Sequence, residues 1–125
     1  STGFNAASTG DVVVTFDSVI TNIGSHYNSS TGKFTAPVDG IYAFWGSAYS
    51  ATTAFTQNWL VINGNRGGGA GTDWVGGTSN MATGFFMVKL SANDTVGFHP
   101  YSGSGSSINI DSNVEHTYFR GYLLG

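Results

Sequence analysis

The sequence predicts an all-β sandwich or barrel, and three observations carry that reading. Short apolar runs rich in β-branched and aromatic residues alternate with clusters of Gly, Ser, Asn and Asp. No stretch longer than a turn shows a capped helical period of apolar residues. The composition is that of a turn-rich β protein, with 19 Gly, 9 Phe, 6 Tyr and 3 Trp and a single Glu, Glu115, in 125 residues.

The elements follow in order. Residues 12–16 read as a first strand, and 34–36 as a second after the turn 29–32. Pro37 to Gly40 is a further turn, and 41–49 a long strand. Residues 58–62 form a strand closed by Asn63-Gly64, a strong hairpin signal. A glycine-rich stretch, 67–77, holds Asp73 and Trp74. Residues 82–90 are another long strand, ended by Ala92-Asn93-Asp94. The last strands are 95–101 and 117–124, with a glycine and serine loop at 102–107 between them. There is no internal repeat and no linker, so residues 1–125 make one domain.

Strand parity adds information. In 95–101, Val96 and Phe98 alternate with Gly97 and His99, as expected where one face of a sheet is wet. Three strands are instead apolar on both faces. Tyr42 and Phe44 oppose Ile41, Ala43, Trp45 and Tyr49; Phe86, Val88 and Leu90 oppose Phe85 and Met87; Phe119 and Leu123 oppose Tyr118, Tyr122 and Leu124. A two-layer sandwich buries one face per sheet. The second face is therefore either surface decoration or buried on another subunit, and the agreement of three strands favours the second of these.

Composition excludes several classes. Only 9% of residues are charged, against about 25% in an average protein, and the net charge is −3. Four dispersed cations, Lys33, Arg66, Lys89 and Arg120, leave no nucleic-acid footprint. No apolar run approaches the roughly 20 residues that span a bilayer, so membrane insertion is not expected. There is no cysteine, hence no disulfide and no thiolate site. The three histidines, His26, His99 and His116, lie in separate segments without metal-ligand spacing, and no nucleophile motif is present, so an enzyme is not expected. The chain opens at Ser1 without a signal-like segment, so a targeting peptide is expected to be missing or already removed.

Five blocks in order resemble the C1q globular domain. They are Val14 to Tyr27 (Val-Thr-Phe-Asp-Ser-Val-Ile-Thr-Asn-Ile-Gly-Ser-His-Tyr), Ser30 to Phe44 (Ser-Thr-Gly-Lys-Phe-Thr-Ala-Pro-Val-Asp-Gly-Ile-Tyr-Ala-Phe), Val61-Ile-Asn-Gly64, the Leu90 to Val96 segment with Asp94, and Phe119-Arg-Gly-Tyr-Leu-Leu124. The resemblance covers essentially the whole chain. It implies a ten-stranded jelly-roll β-sandwich of two antiparallel sheets, a fold shared with the tumour necrosis factor cytokines. It also implies a trimer in which the strands 41–49, 82–90 and 117–124 face the neighbours. The expected interface residues are Trp45, Tyr49, Phe85, Met87, Tyr118, Arg120 and Tyr122. Phe16, Tyr27, Phe34, Tyr42, Phe44 and Phe119 are expected to fill the core. Gly121, in mid-strand, is expected to allow close approach of a neighbouring chain or ring.

Ligand chemistry is expected in the loops. Trp74 beside Asp73, with Arg66 near in sequence, makes one set of the aromatic-plate kind that holds sugars; His99 and Tyr101 make another. The plainer reading of Trp74 is a ring packed under its own loop. No cofactor is required. Calcium is the one candidate, because some C1q-family trimers hold it near the threefold axis. The matching positions here are Asp73, Asn80 and Asp111, and Asn80 offers only a neutral amide oxygen where the family has an acid. Asp73 and Asp111 also read as ordinary solvated loop acids. Two N-glycosylation sequons, Asn28-Ser-Ser and Asn93-Asp-Thr, lie in expected turns. The resemblance implies a secreted, homotrimeric recognition head, either a stalkless form of the kind numerous in invertebrates or an excised head domain. The favoured function is a lectin of innate immunity binding carbohydrate or microbial surfaces multivalently. The alternative is a cytokine-like or matrix assembly module that binds a protein receptor or partner.

Overall fold

The computed structural model describes residues 4–5, 11–16, 23–49, 57–66, 81–102, 107–108 and 118–125. Ten strands lie among them: β1 (Phe4–Asn5), β2 (Tyr27–Asn28), β3 (Lys33–Thr35), β4 (Gly40–Tyr49), β5 (Gln57–Ile62), β6 (Asn65–Arg66), β7 (Met81–Leu90), β8 (Thr95–Tyr101), β9 (Ser107–Ile108) and β10 (Tyr118–Leu123). All pairings are antiparallel. One sheet runs β10-β4-β7, a second runs β2-β3-β8-β5-β6, and β1 pairs with β9. Hairpin β5–β6 turns at Asn63-Gly64, whose φ values of 51° and 79° are those of a type I′ turn; glycine takes the second of these without strain.

The two sheets face each other across an apolar core of Val14, Ala36, Tyr42, Phe44, Ala48, Leu60, Ile62, Phe86, Val88, Leu90, Val96 and Phe98, with Phe16, Phe34 and Phe119 packed against it. The rings form a connected stack. Phe44 lies parallel to Phe119 at 5.7 Å and 8°, Phe119 stacks on Phe98 at 6.1 Å and on Phe16 at 5.9 Å, and Phe34 meets Phe44 edge-on at 5.3 Å. The two core phenols find partners. Tyr42 donates to the Val38 carbonyl at 2.7 Å, and Tyr27 accepts from the Phe16 N–H at 3.0 Å.

Register explains how this stack fits. Phe44 on β4 is opposite Gly121 on β10, and Phe119 on β10 is opposite Gly46 on β4. A Cβ on Gly121 would stand 2.5 Å from Phe44 Cδ1, and one on Gly46 would stand 2.6 Å from the Phe98 ring. Gly121 thus makes room for the Phe44 ring of the neighbouring strand, and Gly46 for the Phe98 ring of the opposite sheet. The close approach expected at Gly121 is to a ring of the same chain.

Two expectations change. Residues 12–16 form no ladder. The run is valine-rich and extended, but it makes a single backbone bond to β8, Val14 N–H to the Phe98 carbonyl at 2.9 Å. It serves as a cover instead of a strand. Strand β8 accordingly has no wet face: Gly97 lies under Val13, and His99 is 1% exposed with Nδ1 donating to the Val12 carbonyl at 2.8 Å. Alternation of apolar with small or polar residues looked like a solvated face, but a covering segment supplies what water would have supplied.

One end of the sandwich is tied by side chains. Asn63 Nδ2 donates to Asp94 Oδ1 at 3.0 Å, Ser91 N–H donates to Asp94 Oδ2 at 2.8 Å, and Thr95 N–H donates to Asn63 Oδ1 at 3.0 Å. Ala92 N–H donates to Asp39 Oδ1 at 2.7 Å, which joins this turn to the one before β4. The Asn63 bond first, and the Ser91 bond second, hold the Asp94 carboxyl below its ordinary pKa. Its contribution to stability is therefore present above the unfolded-chain value of about 3.9, and it is lost as the pH falls through the lower folded value.

Two outcomes are expected. Gly121→Ala forces Phe44 off its position and costs about 1–3 kcal/mol in urea unfolding. The thermal midpoint of the wild-type chain falls between about pH 5 and pH 2.5, and Asp94→Asn falls less over the same range.

Candidate functional site

The outward face of β10-β4-β7 is built from the second apolar parity of three strands. Register places Arg120, Trp45 and Phe85 in one row across the sheet, and Tyr122, Ala43 and Met87 in the next. Ile41 and Lys89 form the row beyond, where Leu124 N–H donates to the Ile41 carbonyl at 2.7 Å. Large apolar side chains stand into solvent here: Trp45 is 45% exposed, Phe85 47%, Met87 59% and Tyr122 60%. Ala43, between Tyr122 and Met87, is 1% exposed because its taller neighbours cover it. Trp45 meets Phe85 edge-on at 5.9 Å, and the Arg120 guanidinium lies 4.4 Å over the Tyr118 ring. A contiguous apolar face of this kind marks an interaction surface.

The electrostatics of the face are one-sided. Lys89 and Arg120 are its cations, and neither makes an ion pair among the described residues. The carboxylates described lie in turns or coil: Asp11 pairs with Lys33 at 2.7 Å, and Asp39 and Asp94 hold the turn network.

The structure brings the seven residues named for an interface together. Trp45, Phe85, Met87, Arg120 and Tyr122 are exposed on this face, and Tyr49 and Tyr118 are partly buried at its far rows. The ligand candidates are described only in part. Asp73, Trp74, Asn80 and Asp111 lie outside the described residues. Arg66 is the last residue of β6, with only its backbone described. Tyr101 is partly buried, its ring tilted against His99 at 6.3 Å, and His99 is a buried wall residue that reaches no surface. Among the described residues no group of three His, Asp or Glu could hold a metal ion. Asn28 and Asn93 are both exposed. Sequence reasoning missed the exposure of Val38, 47%, because a turn residue carries no parity.

The C1q domain family matches residues 2–124. The chain belongs to that family. It is 34% identical over 122 residues to complement C1q tumor necrosis factor-related protein 5 of Rattus norvegicus, covering 91% of this chain and 46% of that protein. It is 31% identical over 116 residues to complement C1q tumor necrosis factor-related protein 2 of Mus musculus, covering 89% of this chain and 37% of that protein. The chain thus spans less than half the length of these curated relatives. The globular domain of zebrafish complement 1qA protein superposes with a TM-score of 0.59 over 99% of this chain and 96% of that one, at 19% identity. The shared fold is the C1q jelly roll. C1q domains are non-enzymatic recognition and assembly modules, and this chain is one of them.

Because the large side chains of the face are exposed in the single chain, Trp45→Ser and Met87→Glu are expected to leave monomer folding within about 0.5 kcal/mol of wild type in dilute urea titrations.

Proposed function

We propose that this C1q domain is an extracellular recognition head that assembles as a homotrimer through the β10-β4-β7 face. The observation that carries the reading is that face, with Trp45, Phe85, Met87 and Tyr122 exposed together. Burying it against identical copies removes apolar area from water at about 25 cal/mol per Å². A closed ring of three copies leaves no such surface over.

The ligand is carbohydrate or a microbial surface, bound by loops that the trimer displays three times. The support is compositional. With 9% charged residues the chain suits a neutral, hydrogen-bonding ligand better than a polyanion. Trp74, Asp73 and Arg66 are the residues proposed to meet it, and three weak sites together raise avidity. Calcium is an optional part of this reading. Asp73, Asn80 and Asp111 offer two carboxylates and one amide, fewer oxygens than the roughly six to eight that calcium takes, so water would complete the shell. A protein partner is the second reading, and the names of the C1q tumor necrosis factor-related relatives favour it.

Light scattering is expected to give three times the chain mass at micromolar concentration, and Met87→Glu to give the single-chain mass with the fold retained. A monomeric wild type sinks the assembly reading. A glycan array, run with and without chelator, is expected to show binding that Trp74→Ala abolishes while the trimer persists. Silence on the array and on bacterial polysaccharides leaves the protein-partner reading.

A further inference from the structure

We propose that Asn28 is a site of N-linked glycosylation and that its sugar caps the edge of the five-stranded sheet. The proposal rests on the extracellular reading. Four observations converge on this residue. Asn28-Ser29-Ser30 has the acceptor pattern, with no proline in the middle position. Asn28, Ser30 and Thr31 are exposed. The Asn28 side chain is already arranged for the reaction: Oδ1 accepts from the Ser30 N–H at 2.8 Å, which leaves Nδ2, the atom that takes the sugar, directed away from the turn. The backbone carbonyl of Asn28 closes the same turn by accepting from Gly32 N–H at 2.8 Å, so the conformation does not depend on the amide nitrogen.

Position gives the modification a purpose. Among the described residues strand β2 is the terminal strand in the order β2-β3-β8-β5-β6, so it forms an edge of that sheet. Unprotected edges template unwanted pairing, and natural proteins cover or charge them. A bulky, hydrated glycan on Asn28 does this in a chain with few charges to spend. Because β2 lies in the sheet that does not carry the apolar face, the glycan and self-association coexist.

The second sequon is a poorer acceptor. Asn93 sits at φ 74° with its N–H donating to the Ala36 carbonyl at 2.7 Å. The next two residues, Asp94 and Thr95, are both tied to Asn63. A carboxylate stands in the middle of that triplet.

The co-reactant is a lipid pyrophosphate-linked oligosaccharide. Nδ2 of Asn28 bonds to the anomeric carbon, the carbon–oxygen bond to the pyrophosphate breaks, the lipid pyrophosphate leaves with the electron pair, and Nδ2 loses one proton.

The test expresses the chain behind a cleavable secretory leader in mammalian cells. Intact mass is measured before and after peptide-N-glycosidase treatment, on secreted and cell-retained fractions alike. The expected result is a loss of glycan mass on treatment. Asn28→Gln and Ser30→Ala are expected to abolish the Asn28 glycan, and Asn93→Gln to keep it. Ser30→Ala retains the backbone N–H that holds Oδ1, so it removes the acceptor pattern without opening the turn. A wild-type chain without glycan overturns the proposal, as does a mass shift that survives Asn28→Gln and vanishes in Asn93→Gln. Failure of the folded chain to reach the medium counts against the extracellular reading instead, since the glycan is scored in both fractions.

Discussion

The reciprocal placement of Phe44 against Gly121 and Phe119 against Gly46 is the constraint on which the rest of the domain depends. Gly121 gives up a side chain so that Phe44 can lie across it, and Gly46 gives one up to the Phe98 ring of the opposite sheet. The parallel contact of Phe44 and Phe119 then seats Phe98 of the opposite sheet, and through Phe98 the two layers are locked in one relative position. Interiors this dense transmit any misfit. The packing tolerates neither a larger residue at the glycines nor a smaller one at the rings.

That arrangement also decides what happens outside. Strands β4, β7 and β10 place their inward parity in the ring layer, and their outward parity still carries Trp45, Phe85, Met87 and Tyr122. The five-stranded sheet solves the same problem within the chain, since residues 12–16 lie over Gly97 and His99. Among the described residues the three-stranded sheet has no such cover. The asymmetry between the two sheets, one self-covered and one open, is what turns a stable jelly roll into a module with a preferred face for contact.

Much of this was legible in the residues. The two-faced apolar parity of 41–49, 82–90 and 117–124 located the open face, and Asn63-Gly64 located a hairpin. The motif blocks identified the fold. Other features were not legible, for physical reasons. Valines at 12–14 have strand propensity, but propensity does not say whether a neighbouring edge offers a ladder or only one carbonyl. His99 has the parity of a solvated residue, and only the path of a segment distant in sequence buries it. Strands β1, β2, β6 and β9 are two residues each, too short for any period to register. The loops proposed for ligand binding were chosen by residue type alone, and Asp73, Trp74, Asn80 and Asp111 lie outside the described residues.

Ala43 carries a consequence of another kind. It lies at the bottom of the exposed face, overshadowed by Met87 and Tyr122, in a strand whose core contacts are made by the residues on either side of it. Enlarging it therefore leaves the ring layer alone and raises the floor of the contact surface. The relief of the exposed face is set in part by a residue that the face itself buries. A change in the height of this one small side chain alters the shape the face offers without touching its rim.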